Sequence, residues 1–263
     1  MQIKEEPLIL SLETTTRAGS ICLTRGERRL AARTGEGQTS HSNDLLKNIQ
    51  AVLASAGYGI KDVDAFAVAL GPGSFTGLRI GLATAKSFAV TLEKPLYGVP
   101  TLHAIARAAG PSAATLAMLP AGRGEVFGQL LAVDKSLRVR TLTEPVHIQP
   151  ERLLSSMEKG RGLKLAGEGA NVYAEQINAY ALREGIDLKK EREDFNSSSD
   201  ESAAVEWILA ASIENLSVHV AALARRALEE GESGDALNLR AIYVRPSDAE
   251  LNVQCLEQNK QAG

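Results

Sequence analysis

The stretch Leu70-Gly71-Pro72-Gly73-Ser74-Phe75-Thr76-Gly77-Leu78-Arg79-Ile80-Gly81 decides how the chain is read. It follows an apolar run of strand length, Ala65 to Leu70, and opens an apolar run of helix length, Phe75 to Leu92. That order predicts a strand, a Gly-Pro-Gly turn and a helix start. Ser74 suits the N-cap, because its hydroxyl can accept a bond from a first-turn N–H. No Lys-Ser/Thr pair closes the turn, so it is not a P-loop.

Within the helix, Gly77, Gly81, Ala85 and Ala89 recur every four residues and form one smooth stripe. An interior glycine costs a helix about 1 kcal/mol relative to alanine. Close approach of another backbone to the stripe would offset that cost. The other positions Leu78, Ile80, Leu82, Phe88 and Val90 are also apolar, so the helix is covered on more than one side. Either it packs centrally in its own domain, or one side packs on another subunit.

Elsewhere, Leu8 to Leu12, Ser20 to Thr24 and Arg29 to Thr34 read as a three-stranded meander, with Glu13 to Gly19 as a polar turn. Leu45, Leu46, Ile49, Val52, Leu53 and Ala56 mark an amphipathic helix from His41 to Gly57. Leu96 to Val99 is a short strand, and Thr101 is expected to cap a helix that runs to Ala109. Gly110-Pro111 is a boundary signal, which divides the chain into residues 1–110 and 111–263.

The second part starts again with strands: Ala114 to Leu119, Glu125 to Val133 and Val139 to Ile148. Pro150 opens a short helix, and Gly162 to Ala166 is strand-like. Asn171 to Arg183 is helical, and Lys189 to Ser202 reads as an exposed polar loop. An apolar segment, Ala203 to Ile213, precedes a helix from Val218 to Glu230. Ala241 to Val244 is expected to be a last strand. Strands in a row followed by alternation predict two α/β units, each a mixed sheet with flanking helices.

Composition narrows the function. The 263 residues are 44% hydrophobic and 4% aromatic, so aliphatic side chains carry the core. A net charge of -3 argues against a broad nucleic-acid footprint on this chain alone. Cys22 and Cys255 form no CxxC and are expected to be free thiols. No run approaches the roughly 20 apolar residues of a membrane span, so a cytoplasmic protein is expected.

Several segments resemble the TsaB (YeaZ) family: Leu10-Ser11-Leu12-Glu13-Thr14-Thr15-Thr16, His41-Ser42, the Gly71 to Gly81 run and Gly98-Val99-Pro100-Thr101-Leu102. Beyond residue 110 the likeness thins to Gly124-Glu125-Val126-Phe127 and Ile242-Tyr243-Val244-Arg245. The resemblance implies a two-domain actin/hexokinase/Hsp70-like ATPase fold with a degenerate nucleotide site. It also implies a role beside TsaD, which transfers a threonylcarbamoyl group to the adenosine next to the tRNA anticodon. Implied partners are TsaD in a heterodimer, TsaE through that pair, tRNA indirectly, and a second copy of the chain in isolation. In such proteins the two helices after the meander form the dimer surface. Here they are residues 41–57 and 74–92, with Leu45, Leu46, Ile49, Leu53, Phe75, Gly77, Leu78, Gly81 and Ala85 as the expected contacts. On that view Gly81→Leu abolishes pairing and leaves a folded monomer.

The resemblance also tests an enzymatic role. TsaD holds a metal with a His-x-x-x-His pair, and the matching positions here are Thr101 and Ile105. The histidines at 41, 103, 147 and 219 lack metal-ligand spacing. Glu13 stands where the superfamily's first phosphate loop carries an acid, so Glu13, Thr14 and Thr16 are the candidate nucleotide contacts, against a plain turn carboxylate. Gly167 to Asn171 could touch a base or be a plain loop, and the Asp-Ala-Arg common before Glu-Val-Tyr is replaced by Pro120 to Arg123. These departures predict a non-catalytic subunit without a cofactor of its own, ATP being used by its partners. The alternative is an active phosphotransferase or ATPase on the same fold.

Overall fold

The computed structural model describes residues 6–35, 41–158, 162–191 and 206–244. The first sheet has five strands in the order β3-β2-β1-β4-β5. β1 (Leu8–Glu13), β2 (Ser20–Arg25) and β3 (Arg28–Thr34) form an antiparallel meander, as the sequence predicts. β4 (Ala65–Ala69) then pairs parallel with β1, and β5 (Leu96–Val99) parallel with β4. Alternation along β1 and β4 assigns the two faces. Leu8, Leu10, Leu12, Phe66 and Val68 point to one side, where α1 (His41–Ser55) and α2 (Phe75–Thr91) cover them. Ile9, Ala65, Ala67 and Ala69 point to the other, into a core shared with α3 (Thr101–Ala108) and the second sheet.

The second sheet repeats this plan. β6 (Ser112–Gly122), β7 (Glu125–Val133) and β8 (Val139–Thr141) are an antiparallel meander, and β9 (Val146–Ile148) also pairs with β7. The sequence suggested one strand from Val139 to Ile148, but the chain breaks at Leu142 to Pro145 to reach both ends of β7. α4 (Pro150–Ser155) precedes β10 (Leu163–Ala166), which runs parallel to β6. The helix expected from Asn171 to Arg183 is two, α5 (Glu168–Val172) and α6 (Ala174–Glu184). β11 (Asp187–Lys190) falls where a loop was expected, and most of that loop lies outside the described residues. β12 (Glu206–Leu209) sets Trp207 in the core with Tyr180.

α7 (Leu216–Glu229) then returns to the first sheet. Its Val220 and Ala224 join Ile9, Ala65 and Ala67 in the central core, together with Leu119, Phe127 and Leu131 of the second sheet. The small alanines of β4 let the helix lie close. The strand expected at Ala241 to Val244 is absent. Residues 234–244 instead form an irregular strap across the edge of the first sheet, where Ile242 N–H donates to Leu70 O at 2.7 Å and Leu96 N–H to Gly234 O at 2.9 Å. Lys86 Nζ holds the strap by donating to Leu239 O at 2.8 Å. At its end Tyr243 meets Phe75, with the Arg79 guanidinium 3.8 Å from the Phe75 ring centre.

Candidate functional site

Ser74 caps α2 as expected, its Oγ accepting from Gly77 N–H at 3.2 Å. The stripe that follows does meet another backbone, but it belongs to the same chain. A Cβ built at Gly77 would lie 1.9 Å from Thr14 O, and one at Gly81 2.1 Å from Thr14 Oγ1. Thr14 Oγ1 also donates to Gly77 O at 2.8 Å. The expectation that the stripe packs on a second subunit is therefore corrected: Gly77, Gly81, Ala85 and Ala89 face inward, against the β1–β2 turn and the first sheet.

The other expected contacts divide in the same way. Leu45, Ile49, Leu53 and Leu78 are buried in the chain's own core, and Phe75 is half-buried under Tyr243. Leu46 stands out at 61% exposure. A different line on α2 faces outward: Thr76, Arg79, Ala83, Ser87 and Val90 are exposed, at helical spacing. Val90 is 53% exposed, and α1 packs beside α2. Sequence spacing found the buried stripe and missed this one, because Thr, Ala and Ser carry no apolar signal.

A cleft of about 310 Å³ opens between the two sheets. One wall is the β1–β2 turn with Glu13, Thr16, Arg17 and Ser20, and the other holds Gly167, Glu168 and Asn171. Ile105, Leu119, Ile213 and Leu216 give it an apolar lining. Gly167 to Asn171 is thus a cleft wall running into α5 rather than a free loop. Glu13 is only 1% exposed, and its own turn saturates it. Oε1 accepts from Thr15 Oγ1 at 2.7 Å, from Thr16 N–H at 2.8 Å and from Thr15 N–H, and Oε2 accepts from Thr16 Oγ1 at 2.7 Å. Thr14 points away from the cleft, toward α2.

Of the turn amides on this wall, those of Thr15 and Thr16 donate to Glu13, that of Arg17 to Glu168 Oε2 at 3.5 Å and that of Gly19 to Thr16 Oγ1 at 3.2 Å. Among the described lining residues, Glu13, Glu168 and Glu214 face a single cation, Arg17.

The positions matched to the metal pair have structural duties. Thr101 is fully buried, does not cap α3 and lies 3.1 Å from Thr15 Oγ1, while its hydroxyl accepts Gly71 N–H at 3.1 Å. Ile105 is buried in the central core. His103 lies 3.2 Å from Thr141 Oγ1, His147 Nε2 lies 2.8 Å from Glu125, and Arg107 lies 2.9 Å from His219 Nδ1. Burial, then the charge of Arg107, push His219 down to about 4. Burial pushes the Cys22 thiol up to about 12, Arg29 opposing it weakly, and so keeps it protonated.

The family model for TsaD, the tRNA N6-adenosine threonylcarbamoyltransferase, matches residues 35–244. The chain belongs to this family. Two of its curated relatives are TsaB proteins. The chain is 40% identical over 106 residues to the tRNA threonylcarbamoyladenosine biosynthesis protein TsaB of Haemophilus influenzae, covering 38% of this chain and 42% of that protein. It is 34% identical over 122 residues to TsaB of Escherichia coli, covering 45% of this chain and 52% of that protein. The matched segments thus span about half the length of these curated relatives. YeaZ from Pseudomonas aeruginosa has the same fold as this chain, with a TM-score of 0.69 at 23% identity, over 90% of this chain and 99% of that one. No helix among the described residues is long and apolar enough to cross a membrane.

Proposed function

We propose that this chain is a non-catalytic subunit in the formation of N6-threonylcarbamoyladenosine in tRNA, and that it acts by pairing with the TsaD transferase. Its place beside TsaB proteins supports the pathway. The outward line of α2, Thr76, Ala83, Ser87 and Val90 with Leu46 on α1, carries the pairing. This line holds one charged residue, Arg79, in four turns of exposed helix. So uncharged a strip is suited to cover by a protein partner. The engagement of Thr101 and Ile105 in packing, where the transferase has its metal pair, supports a role without chemistry.

The test is to mix the chain with TsaD from the same organism and determine the mass of the complex by light scattering. A one-to-one complex that replaces any homodimer is expected. Ala83→Arg and Leu46→Glu are expected to weaken pairing tenfold or more without lowering the melting temperature, since both sites are exposed. Wild-type pairing by both variants would place the partner elsewhere. No complex, together with ATP turnover by the chain alone, would favour the phosphotransferase alternative.

A further inference from the structure

We propose that Glu13 is a built-in anion, which holds the place of a phosphate in the β1–β2 turn and so fixes α2 without a bound nucleotide. The turn presents two amide N–H groups, of Thr15 and Thr16, and two hydroxyls of the same residues to one point. Converging donors of this kind form an anion nest. The nest is already filled, and by a side chain of the strand that leads into it. Charge-assisted bonds to amides and hydroxyls can satisfy a buried carboxylate without a cation beside it. A phosphate entering the cleft would find those donors spent and would meet Glu168 and Glu214 as well.

The same turn is tied to α2 and to the Gly-Pro-Gly loop. Ser74 N–H donates to Thr15 O at 2.8 Å, and Thr14 Oγ1 donates to Gly77 O at 2.8 Å. Thr15 Oγ1 and Thr101 Oγ1 lie 3.1 Å apart, and Thr101 N–H donates to Gly71 O at 2.8 Å. One carboxylate therefore sets the turn, and the turn sets the first two turns of α2. None of this depends on which partner α2 meets.

Calorimetric melting of the full chain, the Glu13→Ala variant and a Glu93→Ala control tests it, each with sodium chloride, inorganic phosphate or Mg-ATP at equal ionic strength. Glu93 is exposed, so its variant removes the same charge without touching the turn. The wild type and the control are expected to melt alike in all three solutions. Glu13→Ala is expected to melt roughly 5–10 °C lower in chloride, and phosphate should restore part of the loss by entering the emptied nest. If Glu13→Ala does not fold in chloride, refolding yield becomes the readout, and recovery in phosphate alone supports the proposal. Stabilisation of the wild type by phosphate or Mg-ATP would overturn it. So would a Glu13→Ala variant that melts with the wild type, or one that phosphate does not rescue.

Discussion

Adding one methyl group at Gly81 is expected to destabilise this protein, and removing the Thr14 hydroxyl is expected to cancel most of that cost. A Cβ at Gly81 would sit 2.1 Å from Thr14 Oγ1, well inside van der Waals contact. If the hydroxyl turns away, it loses its bond to Gly77 O, worth about 1 kcal/mol. Repacking around an added methyl group costs a further 1–3 kcal/mol or so. Alanine's better helix propensity returns about 1 kcal/mol. The net loss for Gly81→Ala is thus about 1–3 kcal/mol. In a Thr14→Ala background the nearest atom left is the residue 14 Cβ, at 3.2 Å. Most of the clash is gone, so a coupling of about 1–2 kcal/mol should appear in the double-mutant cycle. Gly77→Ala supplies the contrast. Its Cβ would meet the Thr14 backbone oxygen at 1.9 Å, which no side-chain truncation removes. Its clash should persist in both backgrounds. Urea unfolding followed by far-ultraviolet circular dichroism measures all of these. If Gly81→Ala is as stable as the parent, or if its cost ignores the Thr14 hydroxyl, α2 does not lie on the turn as described. The Gly81→Leu change fares worse for the same reason: it is expected to unfold the chain rather than yield a folded monomer that cannot pair.

Further outcomes follow from single groups. His219 is held near 4 when folded and titrates near 6.5 when unfolded, so the unfolded state binds more protons between those values. Stability should be full above pH 6.5 and fall as pH drops toward 4, by up to about 3 kcal/mol. Urea midpoints at several pH values check this, and His219→Asn, which keeps an acceptor for Arg107, should flatten the slope. Cys22 should resist iodoacetamide at pH 8 in native buffer and react in denaturing urea, as peptide mass mapping would record. Ser74→Ala removes the α2 cap and should cost about 1 kcal/mol in the same urea assay. Lys86→Met removes the ammonium that binds Leu239 O, so limited proteolysis should cut residues 234–244 sooner than in the parent.

Much of the frame was legible in the sequence because short apolar runs and caps are local signals. Leu8 to Leu12 announces a buried strand, and Ser74 announces a helix start. The stripe at 77, 81, 85 and 89 announced a close neighbour but could not name it, since a missing Cβ says only that something is near. The strap at 234–244 was misread, its apolar end at Ala241 to Val244 giving the signal of a strand. It is held by carbonyl oxygens, which every residue has, and by one lysine from a distant helix. Glu13 was legible as an acid in a turn, but its bonding partners depend on the curl of that turn. The division between α5 and α6 falls at Tyr173, an ordinary helix residue that no local rule marks as a break.

The return of α7 to the first sheet has a consequence for how the protein is made. Residues 8–99 supply every strand of that sheet, yet one of its faces stays open until residues 216–229 arrive. On the ribosome, the first half emerges with Ile9, Ala65 and Ala67 bare and waits for more than a hundred further residues to be synthesised. A nascent chain stalled before α7 should therefore bind hydrophobic-dye probes and holding chaperones, and release them once α7 is out. The part of the sequence written first is among the last to be closed.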